Sequence, residues 1–101
     1  MNDLILLKIS IQRALLGYLT PDVRSVNIKI IEKIIYLYIV IDGKPSEYWI
    51  EAYTMIGTEV IADFSDEFNI EENLLQIDYP NLINIPNTEL VYLRYESPDL
   101  T

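Results

Sequence analysis

Two apolar runs joined by a single charged dipeptide constrain this chain more than any other feature. From Val23 the hydrophobic period is two, with Val26, Ile28 and Ile30 on one side and Ser25, Asn27 and Lys29 on the other, the pattern of a half-buried strand. Glu32-Lys33 leads into Ile34-Ile35-Tyr36-Leu37-Tyr38-Ile39-Val40-Ile41, whose β-branched and aromatic side chains suit a central strand. So short a link turns the second run back along the first, and an antiparallel hairpin is expected.

Helical periods flank this hairpin. Leu4, Leu7, Ile11, Ala14 and Leu15 recur three and four apart, Asn2 or Asp3 can cap them, and Gly17 supplies a left-handed stop, which places a first helix at about 4–16. Ile5, Ile9 and Leu16 form a second apolar stripe on that helix. Either neighbouring elements cover it, which is the expectation, or it stays exposed as a self-association face. After Asp42-Gly43-Lys44-Pro45, Ser46 can cap a second helix at about 47–64. Trp49, Ile50, Tyr53, Val60, Ile61 and Phe64 cluster on one side of it, with Glu47, Glu51, Glu59 and Asp63 on the opposite half. Gly57 sits near the apolar side, where it permits close approach to a sheet.

Asn73–Tyr79 and Leu90–Tyr95 read as two further strands, separated by Pro80, Pro86 and several Asn and expected as a loosely connected β pair. The order is then αββαββ, an α+β fold with an antiparallel sheet of about four strands and two helices packed on it. With 101 residues and half of them apolar, one domain spanning 1–101 is expected to fold around one core.

Charge is divided unevenly along the chain. Residues 1–44 carry four acids against six bases, whereas residues 45–101 carry twelve acids against Arg94 alone, within a net charge of −9. Such a field repels nucleic-acid backbones and attracts cationic proteins. No histidine and no cysteine occur, which removes the usual neutral-pH acid–base group, the thiolate nucleophile and most transition-metal ligands. The three glycines form no phosphate loop. An enzyme is not expected, and neither is a cofactor. Asp63, Asp66, Glu67, Glu71 and Glu72 make the densest carboxylate cluster, but their spacing matches no calcium loop and a solvated face explains them. The opening Leu4-Ile5-Leu6-Leu7 is interrupted by Lys8, and the longest apolar run, Ile34 to Ile41, ends at Asp42. Neither a signal peptide nor a membrane span is expected, and the absence of cysteine fits a reducing compartment, so the cytoplasm is the expected location.

The acids of the second helix point toward a protein partner. Glu47 with Glu51, and Glu59 with Asp63, stand four residues apart, and like charges at that spacing destabilise an isolated helix. No base occurs between Pro45 and Tyr92 to offset them. Glu47, Glu51, Glu59, Asp63, Asp66 and Glu67 are therefore the expected partner-binding residues. Eight tyrosines and Trp49 offer aromatic anchors able to receive lysine or arginine. Arg24 and Arg94 are expected to be structural, pairing with acids across strands.

Arg13-Ala14-Leu15-Leu16-Gly17, Pro21-x-x-Arg24-x-Val26, Asp42-Gly43-x-x-Ser46-Glu47 with Glu51, Thr58-Glu59-Val60-x-Ala62-Asp63-Phe64 and Val91-Tyr92-x-Arg94-x-Glu96 together resemble the immunity proteins of contact-dependent growth inhibition systems. The resemblance covers most of the chain. It implies a cytoplasmic antitoxin that binds the toxin domain of a cognate effector, commonly a nuclease, and blocks its active site. It assigns no individual contact residue. The competing expectation is a self-associating structural or adaptor domain, dimeric through helix one, whose charge serves solubility.

Overall fold

A computed structural model describes residues 2–96. In chain order the elements are α1 (Asp3–Ala14), β1 (Val23–Ile31), β2 (Ile34–Ile41), α2 (Glu47–Ile61), β3 (Asn69–Gln76) and β4 (Glu89–Leu93). The Asn2 side chain accepts from the backbone N–H of Ile5 and the Ser46 side chain from that of Trp49, each satisfying a donor that the first helical turn leaves free. Both helices are shorter at their C-termini than the sequence periods predict. Gly17, with φ of 85°, turns the chain after α1.

β1 and β2 form the expected hairpin, in register from Ile31 opposite Ile34 to Val23 opposite Ile41 with one bulge near Arg24. Glu32 and Lys33 both have positive φ, the backbone that a two-residue turn needs to match the twist of its strands.

The rest of the sheet departs from expectation. Its strand order is β3-β2-β1-β4, β2 and β3 run parallel, and β4 pairs antiparallel with β1. The sheet is mixed, and β3 and β4 are its two edges, not a pair. The cause is α2, which carries the chain back along the sheet so that β3 enters in the same direction as β2. Parallel register then starts β3 at Asn69, level with Ile34, four residues before the predicted Asn73. Residues 77–88 return across the helix-free face to reach the far edge. There the Asn27 amide donates to the Thr88 hydroxyl (3.0 Å), which donates to the Ile85 carbonyl (2.7 Å), while Arg24 donates to the carbonyls of Ile77 (2.8 Å) and Asn81 (2.9 Å).

Both helices pack on the other face. Leu7, Ile11 and Leu15 of the α1 region and Trp49, Ile56 and Val60 of α2 close over Val26, Ile28, Ile35, Leu37 and Ile39, and burial of such side chains contributes about 1.5–3 kcal/mol each. Trp49 donates its indole N–H to the Thr20 hydroxyl (2.7 Å), so the largest core side chain leaves no polar atom unmatched. The second stripe of α1 is not covered: Ile5, Ile9 and Leu16 are 48%, 45% and 75% exposed. Among the described residues no helix is long and apolar enough to cross a membrane.

Candidate partner-binding surface

α2 presents two different acidic flanks. Its buried residues are Trp49, Ala52, Ile56, Gly57 and Val60, so the helix faces the sheet along this line. At 100° per residue, Glu47, Glu51 and Thr58 point directly away from it. Both glutamates are exposed, and their carboxylates have no side-chain partner among the described residues. Ser46 fixes the first turn, where an acid also suits the helix dipole.

Glu59 and Asp63, predicted on the same outward half, instead lie along the seam between α2 and α1. Asp63 accepts from the Ser10 hydroxyl (2.6 Å) and from the Arg13 guanidinium (2.7 Å). These two bonds, Ser10 first, hold its carboxyl below the ordinary aspartate range. Glu59 accepts from the Tyr18 hydroxyl (3.0 Å), a contact that raises the phenol above its usual pKa. The pair therefore ties the end of α2 to α1 and to the turn that follows it, and for Asp63 the absence of nearby bases in the sequence is made good by Arg13 of α1. Beyond α2, Glu67 pairs with Lys33 (3.2 Å) and Asp66 is exposed.

Three apolar side chains border the unpaired acids. Ile50, predicted to be inside with Trp49, is 54% exposed, as is Met55, and Tyr48 is exposed on the flank of Met55, opposite that of Ile50. The Tyr48 hydroxyl reaches the Tyr18 carbonyl (3.0 Å). Ile50 lies well round the helix from Trp49, about 100° away by helical rotation. Mixed acid and exposed aliphatic or aromatic surface is the make-up of a docking patch. Met55 gave a signal in the sequence, since its helical angle falls close to that of Glu51.

The carboxylate cluster weighed for a metal is dispersed. Asp63 faces α1, Glu67 faces Lys33, Glu72 lies against Gly57 and Glu71 projects from the opposite side of β3. Among the described residues no three acids converge as metal ligands.

Arg24 and Arg94 build a separate centre at the end of the sheet. Arg24, buried by the bulge and the crossing chain, donates twice to Glu96 (2.7 and 2.9 Å). Arg94 donates to Asp42 (3.0 Å), to Glu96 (2.9 Å) and to the Pro21 carbonyl (2.9 Å). Every charged group in it is paired within the fold, as a structural centre requires. Glu96 and Asp42 are held below their ordinary pKa values, chiefly by the bonds from Arg24 and Arg94 respectively.

No curated protein matches the sequence. The sequence model of the MafI2 immunity protein family matches residues 5–96, from the first turn of α1 to the carboxylate that closes the arginine centre. The match agrees with the resemblance to toxin immunity proteins in kind but names a different family from that of contact-dependent growth inhibition. The chain belongs to the MafI2 immunity protein family.

Proposed function

We propose that this immunity protein neutralises a cognate toxin domain by laying the outer side of α2 and the following turn over the toxin's active site. The observation that carries the reading is the exposed Glu47 and Glu51, without a side-chain partner among the described residues, beside half-exposed Ile50 and Met55. The acids steer a basic toxin into place, and the apolar side chains, once desolvated, slow its departure. A cationic surface on the toxin is characteristic of enzymes that hold nucleic acid, so its chemistry is that of a nuclease, inhibited in the cytoplasm without any catalysis by this chain. Of the six residues singled out in the sequence, Glu47, Glu51 and Asp66 act in steering. Glu59, Asp63 and Glu67 contribute less, because Tyr18, Arg13 and Lys33 already engage them.

A tagged pull-down from native lysate at low and at moderately high salt tests this. The expected result is one basic toxin domain whose capture falls as salt rises and whose association slows in the Glu47→Lys/Glu51→Lys double variant. A toxin captured equally by the double variant and at either salt would remove this face from the mechanism.

A second reading, self-association through α1, draws on the uncovered Ile5, Ile9 and Leu16 stripe. A monomer mass that does not change with concentration would count against it.

A further inference from the structure

We propose that the free edge of β3 is a strand-addition site, at which an extended segment bearing lysine or arginine, supplied by the toxin, joins the sheet. This rests on the toxin-inhibitor reading and gives that reading a docking mode.

The backbone defines the site. Asn69 donates to the Lys33 carbonyl and Ile77 to the Ile41 carbonyl, each at 3.0 Å, so in a parallel ladder residues 69, 71, 73, 75 and 77 turn their polar groups toward β2. Ile70, Glu72, Leu74 and Gln76 turn theirs outward, and among the described residues no other strand receives them. This edge is eight residues long and pairs with β2 without a bulge. β4, the other edge, is five residues long, its pairing with β1 is broken by a bulge, and its Glu89 is joined to Lys8. Long regular edges invite another strand and short bulged ones resist it.

Charge selects the occupant. Asp66, Glu67, Glu71 and Glu72 lie along or just before this edge, and the only base paired with any of them among the described residues is Lys33, on Glu67. A neutral strand leaves the mutual repulsion of these acids uncompensated and an acidic one adds to it, whereas a basic one is attracted. Glu72 gives the match its position. Its carboxylate, tucked beside Gly57 of α2, takes the hydrogen bond of its own outward N–H. An arriving lysine or arginine draws the carboxylate away and frees that N–H for the new ladder. The contact with Gly57 also fixes which flank of α2 overhangs the edge. Ile50 and Ile61 lie on the same flank by helical rotation and offer apolar cover to the added strand, as strand-addition interfaces do with alternate side chains.

Amide exchange of the full chain, followed by NMR, tests the site with an octapeptide of alternating valine and lysine as probe and its valine–glutamate counterpart as control. The expected result is fast exchange at Ile70, Leu74 and Gln76 in the chain alone, and slowing of roughly tenfold or more with the basic peptide only. Leu74→Pro, which deletes an outward N–H and no internal bond, abolishes that protection; Gln76→Pro serves the same purpose should Leu74→Pro fail to fold. Absent protection, equal protection by the acidic peptide, or protection that survives a folded proline variant overturns the proposal. In the pull-down, a toxin retained by the proline variant but lost by Glu47→Lys/Glu51→Lys overturns edge addition and leaves the inhibitor reading standing. If no toxin is captured by the parent chain, the inhibitor reading falls and edge addition as a docking mode falls with it, whatever the peptide does.

Discussion

Gly57 and Glu72 occupy one space: a Cβ on residue 57 would overlap the carboxylate and Cγ of Glu72. The glycine lies mid-helix, where it costs about 1 kcal/mol relative to alanine, and its missing side chain lets an acid from the edge strand fold in beneath α2. Burial raises the Glu72 carboxyl above the ordinary glutamate range, its bond from its own N–H only partly opposing this. An acid with a raised folded pKa costs nothing below its unfolded pKa and destabilises once pH has risen through the folded one. Glu72→Gln is therefore expected to raise the urea midpoint at neutral pH and leave it unchanged below the glutamate range. Gly57→Ala, by expelling the carboxylate, is expected to erase the same pH dependence while changing stability by no more than about 1 kcal/mol. A Glu72→Gln midpoint shifted equally at both pH values would rule out the burial account.

The acid limb has the opposite sign. Asp42, Asp63 and Glu96 have lowered pKa values in the fold, chiefly through Arg94, Ser10 and Arg24. Their contribution is complete above the ordinary carboxylate range and is lost as pH falls through the depressed values. Thermal unfolding followed across the acid range is expected to show a steep loss of melting temperature that is shallower in Arg24→Lys, whose parent bonds to Glu96 are already weakened. Parallel profiles would separate acid unfolding from the arginine centre.

Arg24 itself is expected to be the costliest single side chain to remove outside the apolar core. It is 3% exposed and holds Glu96 and the carbonyls of Ile77 and Asn81 in one grip. Arg24→Ala leaves these acceptors facing a void, at about 3 kcal/mol or more, a large share of the stability of a domain this size. Arg24→Lys keeps the charge but loses the planar fork and recovers only part of the loss. Urea denaturation measures both; an alanine variant within about 0.5 kcal/mol of the parent would mean the crossing chain holds without it.

The sequence made the hairpin legible because its signal is local: two alternating runs, one short turn. The first half of β3 was hidden for the same reason. Asn69, Glu71 and Glu72 fall before the strand expected to begin at Asn73, and only the neighbouring β2, thirty-five positions earlier in register, makes an edge strand of them. Whether β3 joins parallel or antiparallel depends on where α2 returns, and no window of residues around β3 contains that information. The candidate surface divides similarly. The acids of α2 could be counted, and Glu47 and Glu51 do face outward, but the groups that engage Glu59 and Asp63 come from Tyr18, Ser10 and Arg13, which are forty-one to fifty-three residues away.

That division makes Asp63 and Glu51 respond differently to substitution. Asp63→Ala removes the acceptor shared by Ser10 and Arg13 and is expected to lower stability by about 1–2 kcal/mol, as loss of hydrogen bonds to a partly exposed charge does. Glu51→Lys breaks no side-chain bond and places a lysine four residues after Glu47, replacing repulsion with an ordinary helical ion pair worth about 0.2–0.5 kcal/mol. Its urea midpoint should match or slightly exceed that of the parent, while association with the captured toxin domain slows and becomes less sensitive to salt. Asp63→Ala, compared at a temperature where both variants remain folded, should associate at close to the parental rate. A reversal, with Asp63→Ala impairing association and Glu51→Lys leaving it intact, would move the steering surface from the outer side of α2 to the seam between the helices.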